Sequence, residues 1–153
     1  MMNWKELGQH LDRKVFFQEA ENLNDLTTED VSKALVLLWV GSPSWKYKDL
    51  TAVIERLARE GALGITIAGK RADESFDALL ETLGSMKLPK HVMTGVDKTD
   101  DVGDVVSGFL VAAIPDEARW DDWQEYRIIV IGDSNLWQQM LCSINEAVSE
   151  LSS

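Results

Sequence analysis

The sequence predicts a single α/β domain of the doubly wound type, with about four parallel strands alternating with helices in three layers. Short apolar runs are followed by amphipathic segments, and this pair repeats along the chain. Each parallel pairing needs a crossover connection, which a helix supplies. Right-handed crossovers place helices on both faces of the sheet. We therefore expect a flavodoxin-like or Rossmann-like arrangement.

The first two strand-helix units have the clearest patterns. Residues 34–40 (ALVLLWV) are a continuous apolar run, typical of a strand buried on both faces, and residues 63–69 (LGITIAG) repeat it. After each run, apolar residues recur at the spacing of an amphipathic helix. The apolar stripe of the first helix is Leu50, Val53, Ile54, Leu57 and Ala58. That of the second is Phe76, Leu79, Leu80 and Leu83.

Two further units complete the pattern, with strands at residues 91–96 and 127–131. Their helices carry the stripes Val102, Val105, Val106, Phe109, Leu110 and Ala113, and then Leu136, Met140, Leu141, Ile144, Val148 and Leu151. If the four strands lie in the flavodoxin-like order two, one, three, four, the switch point falls between the first and third predicted strands.

The N-terminal segment, residues 1–30, is predicted as a helical extension, and residues 31–153 as the single α/β domain. Trp4, Leu7 and Leu11 are spaced to share one face of a short helix. No apolar run has the length of a membrane span, and the start lacks the pattern of a signal peptide. We expect a cytoplasmic protein without a membrane association.

Charge limits the classes of partner. The chain carries 26 acidic and 15 basic side chains, a formal net charge of −11, which excludes a nucleic-acid surface. The carboxylates serve either solubility alone or the attraction of a basic protein partner. The one cysteine, Cys142, excludes an intramolecular disulfide and a cysteine-rich metal site and is expected in the core or at its boundary.

One connection combines carboxylates with aromatic rings. Residues 116–126 (DEARWDDWQEY) form a connection longer than usual in an α/β unit, and such loops often bind partners. The candidate partner-binding residues are Trp120, Asp121, Asp122, Trp123, Glu125 and Tyr126. The alternative is structural, with Trp120 and Trp123 turned inward as a lid on the sheet edge.

A second candidate site lies where the predicted strands end, since open α/β sheets bind ligands at the carboxyl ends of their strands. The residues there are Ser42, Trp45, Lys70, Thr94 and Asp97. A helix N-terminus at this edge could hold an anion. The glycine patterns of dinucleotide and nucleoside triphosphate sites are absent, so no cofactor is predicted.

The sequence nominates no catalytic and no metal-binding residue. His10 and His91 lie in no motif, and GxSxG, HExxH and paired Cys/His spacings are absent. The balance is therefore against an enzyme.

The chain resembles an uncharacterised family of small bacterial α/β proteins. The resemblance is carried by residues 35–40 (LVLLWV), 57–61 (LAREG), 92–95 (VMTG), 105–118 (VVSGFLVAAIPDEA) and 129–133 (IVIGD). It implies the α/β fold and no activity. Members of that family often carry a Trp-Gly turn, then Cys and His, after the second strand, where this chain has Ala68-Gly69, Ala72 and Phe76.

Two hypotheses about function follow. The first is an acidic protein-binding module, such as an inhibitor or immunity-type protein for a basic partner. The second is a small-ligand or anion-binding regulatory domain, or a weak enzyme, with its site at the strand ends.

Overall fold

The structure is a computed structural model that describes residues 4–42 and 45–151. Within these ranges six strands form one sheet: β1 (Lys5–His10), β2 (Arg13–Ala20), β3 (Ala34–Val40), β4 (Gly64–Gly69), β5 (Met93–Asp97) and β6 (Glu125–Ile131). The α-helices are α1 (Tyr47–Arg59), α2 (Ala72–Ser85), α3 (Val102–Ala112) and α4 (Ser134–Leu151). Two 3₁₀ helices span Leu23–Asp25 and Glu117–Asp122.

The sheet is mostly parallel, which confirms the α/β class. Its strand order is β1-β2-β6-β3-β4-β5, and only β1 runs antiparallel to its neighbour. The four predicted strands correspond to β3, β4, β5 and β6. The predicted number of four is too low, because two more strands precede them.

Those two strands replace the predicted N-terminal helix, so that prediction is wrong. Strands β1 and β2 form a hairpin whose turn residues, Leu11 and Asp12, have φ values of 52° and 63°. Val15 and Phe17 point from β2 into the core. Because β2 also pairs in parallel with β6, this segment belongs to the same sheet as the rest of the chain.

The observed strand order differs from the flavodoxin-like order considered in the sequence analysis. Strand β3 lies between β4 and β6, so the first predicted strand has the second and the fourth as neighbours. Strand β6, the last along the chain, fills the position between β2 and β3. The chain therefore progresses outward through β3, β4 and β5 and then returns to the middle of the sheet.

Side chains alternate across the sheet and supply two hydrophobic clusters. On β3, Val36, Leu38 and Val40 contribute to the cluster that contains the buried faces of α1 and α2. Leu35, Leu37 and Trp39 contribute to the one that contains those of α3 and α4. This explains why residues 34–40 are apolar at every position.

The inner face of α2 differs from the predicted one. Leu80 is 46% exposed, whereas Ser75 and Ala78 are fully buried. A hydroxyl can occupy this position because Ser75 Oγ donates to the Arg71 carbonyl, 3.1 Å away. The stripe is thus shifted around the helix toward small residues, which lets α2 pack close to α1.

Candidate functional site

The predicted partner-binding residues lie at the amino ends of the parallel strands. The 3₁₀ helix Glu117–Asp122 leads directly into β6, beside the β1–β2 turn. Backbone amides of Gln124 and Glu125 donate to the Lys33 carbonyl just before β3, at 2.9 and 3.1 Å. Open α/β sheets usually bind ligands at the carboxyl ends of their strands, so these residues lie at the opposite end of the sheet.

Trp123 and Tyr126 are buried, so their prediction as surface contacts is wrong. Trp123 is 4% exposed and Tyr126 is fully buried. Their rings meet edge to face with centroids 5.4 Å apart, and Tyr126 in turn meets Phe109 at 5.8 Å. Burial raises the pKa of Tyr126 to about 12. Of the two residues in the inward alternative, Trp120 and Trp123, only Trp123 is therefore buried.

Trp120, Asp121 and Asp122 remain at the surface. Trp120 is 45% exposed and packs edge to face on Trp123, with ring centroids 5.1 Å apart. Asp121 and Asp122 are also exposed, and Asp122 forms a surface ion pair with Lys90 at 3.5 Å. Together with Leu11, which is 60% exposed at the β1–β2 turn, these residues are called the amino-end patch below.

Glu125 belongs to the sheet and not to the patch. Its carboxylate accepts hydrogen bonds from Arg127 two residues along β6, at 3.1 and 3.2 Å. The Arg127 guanidinium is buried and stacks on Phe16, 3.8 Å from the ring centroid. The Glu125 charge is therefore compensated from within the protein.

Arg119 fixes the 3₁₀ helix to the body of the protein. It is only 8% exposed, and its guanidinium donates to three backbone carbonyls, those of Gly61, Ala62 and His91, at 3.0 to 3.3 Å. At the start of the helix, the Asp116 carboxylate accepts from the Ala118 amide at 3.2 Å. The segment that carries Trp120 is thus held from both of its ends.

Arg13 supports the same segment from the side of the hairpin. Its guanidinium lies 3.7 Å from the centroid of the Trp123 ring and 5.7 Å from that of Trp120. It also donates to the carbonyls of Trp123 and Leu11, both at 3.1 Å. The cation is therefore turned toward the protein, which leaves the carboxylates of the patch facing outward.

The five residues of the predicted ligand site are not brought together. Ser42 and Trp45 line one pocket of about 360 Å³, next to the end of β6. Thr94 and Asp97 line a separate groove of about 350 Å³ between β5 and α3. Lys70 is exposed and lines neither cavity. Residues 43 and 44 of the first loop lie outside the described residues.

The pocket beside Ser42 and Trp45 lies at the observed switch point of the sheet. After β3 the chain enters α1, and after the neighbouring β6 it enters α4, whose residues pack in the other hydrophobic cluster. Carboxylates line this pocket, from Glu21, Asp25 and Asp49. Lys46 is the one lysine in the lining, so the three carboxylates dominate and oppose an anion, which is one of the two kinds of ligand predicted for this site.

Trp45 forms part of the wall of this pocket and is held by Arg71. The Arg71 guanidinium stacks 3.9 Å from the centroid of the Trp45 ring and donates to the Trp45 carbonyl at 3.3 Å. A hydrogen bond from Arg71 to Glu74, at 2.5 Å, lowers the pKa of the Glu74 carboxyl. Trp45 is thus supported by packing on a cation.

The described residues contain no group of three or more His, Cys, Asp or Glu side chains placed to bind a metal ion. His10 is buried against the Tyr126 ring, at 5.7 Å between centroids, and His91 is exposed. Cys142 is exposed on α4, which corrects its predicted place in the core or at its boundary. None of the described helices is long and apolar enough to cross a bilayer.

Sequence reasoning missed the residues that organise the amino-end patch. The sequence pattern does not single out Arg13 and Arg119. An arginine beside the aromatic rings of a long connection is the available signal, because its guanidinium can stack on a ring and donate to backbone carbonyls at the same time. Leu11 was assigned to a helix face and lies instead at an exposed hairpin turn.

Comparison with known proteins adds no relative. No protein-family model matches this chain, and no curated protein is significantly similar to it in sequence.

Proposed function

We propose that this protein is a binding module for a basic protein partner, in the form of an inhibitor or immunity-type protein. The observation that carries the proposal is Trp120, which is 45% exposed on a segment that Arg119 and Arg13 hold in place. Exposed tryptophan side chains are frequent hot spots of protein interfaces. An anchor that is already fixed loses little conformational entropy on binding.

The charges around Trp120 favour a basic partner over an acidic one. Asp121 and Asp122 are exposed and follow Trp120 directly in the chain, and Asp122 is paired with the exposed Lys90. Arg119 and Arg127, in contrast, are buried and engaged inside the protein. Over longer distances the net charge of −11 attracts a cationic protein and accelerates its association. The proposed contact surface is the amino-end patch, without Trp123, Glu125 and Tyr126.

A second candidate function is small-ligand binding in the pocket beside Ser42 and Trp45. Its position at the switch point favours it, and its carboxylates favour a cationic ligand. The test is a titration with spermidine and, separately, with inorganic phosphate, followed through the Trp45 indole signal by NMR. Saturable binding of the amine alone would support this candidate, and no change with either ligand would count against it.

The proposal for a basic partner is tested by affinity capture from the native cell extract at low and moderate salt. The tagged full chain is compared with Trp120→Ala and with Leu80→Ala, a matched control that truncates another exposed side chain, on α2. We expect one basic protein to be retained by the wild type and by the control, to be released by salt, and to be lost with Trp120→Ala.

A titration with the purified partner then measures the anchor. Truncation of a hot spot costs 2 kcal/mol or more, so Trp120→Ala should raise the Kd by at least about 30-fold. Asp121→Asn should slow association at low salt and leave dissociation almost unchanged. If Trp120→Ala retains the partner as well as Leu80→Ala does, the proposed surface is wrong.

We infer a doubly wound sheet with α1 and α2 on one face and α3 and α4 on the other, which the separation of the two hydrophobic clusters supports. The location is cytoplasmic, which cell fractionation would test. The resemblance to small bacterial α/β proteins supports the fold and leaves the partner open.

A further inference from the structure

Strand β5 forms one edge of the sheet, with a neighbouring strand on one side only within the described residues. The Met93 amide donates to the Leu63 carbonyl at 3.1 Å, toward β4. Because successive peptide groups of a strand point in opposite directions, the N–H and C=O groups of Thr94 and Val96 point away from the sheet. They form a ladder that another strand could join.

A groove runs along this edge on the α3 side of the sheet. Its volume is about 350 Å³, and small residues keep it open, among them Gly95 on β5 and Gly108 on α3. A methyl group at Gly95 would come within 3.3 Å of Thr66 Oγ1, so β5 is close to β4 there. Helix α2 packs against β5 on the opposite face, whereas α3 packs mainly on α4.

Apolar side chains border one end of this groove, and a carboxylate lines another part of it. Ile114, which follows α3, lines the groove and is 51% exposed. Asp97 lines the groove near the end of β5, whereas Asp101 and Asp104 stand at the start of α3 and do not line it. The neighbouring cation, Lys98, is paired with Asp73 at 2.6 Å, and this hydrogen bond raises the pKa of Lys98. The Asp97 carboxylate therefore gives this part of the groove a negative charge.

We propose that β5 and the groove beside α3 bind an extended segment of a basic protein, which joins the sheet as an additional strand. Main-chain hydrogen bonds to Thr94 and Val96 supply the pairing, and alternate side chains of the segment enter the groove over Gly95 and Gly108. A Lys or Arg of the segment lies beside Asp97. The inference shares the basic partner with the proposed function, but it concerns a different surface.

A second copy of this chain fits the groove less well. Each copy carries a net charge of −11, so two copies repel each other. A basic segment instead complements the Asp97 carboxylate at the end of β5.

The test uses fluorescein-labelled peptides and full-length protein at low salt, followed by fluorescence anisotropy. The probe has a core of alternating threonine and valine with Lys-Arg at both ends, and the control peptide carries Glu-Glu in their place. We expect saturable binding of the basic peptide only, and slower hydrogen exchange of the Thr94 and Val96 amides when it is bound.

Variants of the protein separate strand pairing from mere charge attraction. Thr94→Pro removes an outward N–H from an edge strand, where proline is tolerated, and should weaken binding at least about tenfold. The control Thr94→Ala keeps the N–H and should bind within about twofold of the wild type. Gly108→Leu should also block binding, because its side chain would fill part of the groove. The helix should stay intact, because an added Cβ at this position meets only Asp97 Oδ2, at 3.7 Å.

Three results would overturn the inference. They are equal binding of the acidic and basic peptides, equal binding by Thr94→Pro when circular dichroism shows it folded, and a dimer of the wild type in sedimentation that Thr94→Pro and Gly108→Leu abolish. The last result would assign the groove to a second copy. Loss of partner binding by Trp120→Ala is measured separately, so the proposed function and this inference can fail independently.

Discussion

Replacing Trp123 by alanine gives the most direct test of how the connection before β6 is built. The side chain is 4% exposed, packs on Trp120 and Tyr126, and donates from Nε1 to the Glu125 carbonyl at 3.2 Å. It also supports the Arg13 guanidinium, 3.7 Å from its ring centroid. The substitution removes all of these contacts and leaves a cavity at the amino end of the sheet.

The size of the effect follows from the buried area. A buried tryptophan removes about 150–250 Å² from water, which at about 25 cal/mol per Å² corresponds to roughly 4–6 kcal/mol as an upper bound. Large-to-small substitutions of buried aromatic residues cost about 3–5 kcal/mol. We expect Trp123→Ala to lower the free energy of unfolding by about 3–5 kcal/mol.

The assay is equilibrium unfolding in urea followed by circular dichroism, which does not depend on the tryptophan that is removed. With an m-value of about 2 kcal/mol per M, the midpoint should fall by about 2 M at an unchanged slope. Trp120→Ala is the matched control, and its loss should stay below about 1 kcal/mol. Equal shifts for the two variants, or a loss below about 1 kcal/mol for Trp123→Ala, would refute the reasoning.

Three further predictions test the core, the pH dependence and a helix. Phe109→Ala should cost about 3–5 kcal/mol in the same urea assay, because its buried ring packs on Tyr126. Burial raises the pKa of Tyr126 from 10.0 to about 12, so its contribution is fully present below pH 10 and is lost as the pH rises toward 12. The wild type should lose about 2 kcal/mol more than Tyr126→Phe between pH 10 and pH 12, and equal pH profiles would contradict it. Gly84→Ala on α2 should raise the Tm by about 2–4 °C, since no atom lies within 4 Å of the added methyl group, and a lowered Tm would contradict it.

Strand β3 could be predicted because burial on both faces makes it apolar at every position, whereas the weaker strand β5 could be predicted because a clearly amphipathic helix follows it. The hairpin before them could not, because its turn uses Leu11 and Asp12 at positive φ, without a glycine to signal it. Gln18 on β2 is also buried, since both ends of its amide bond to the Thr27 backbone at 2.9 Å. A buried amide interrupts the apolar pattern that sequence analysis relies on.

The candidate site was predicted in part, for a similar reason. A spacing of three places Trp120 and Trp123 on one side of a 3₁₀ helix, so the pattern suggests equal exposure. Trp123 lies one residue beyond that helix, where the chain turns toward β6 and carries the ring inward. The strand order could not be predicted either, since no local pattern indicates that β6 fills the place between β2 and β3.

The central position of β6 has a consequence for synthesis on the ribosome. Val15 of β2 pairs with Tyr126 of β6, which is translated roughly a hundred residues later. Translation proceeds at about 5–20 residues per second, so the hairpin is complete well before its neighbouring strand exists. Until β6 is made, neither β2 nor β3 can form the pairing that each makes with it in the folded protein. The nascent chain therefore spends several seconds without the central strand of its sheet, and chaperone binding during that interval would protect it from aggregation.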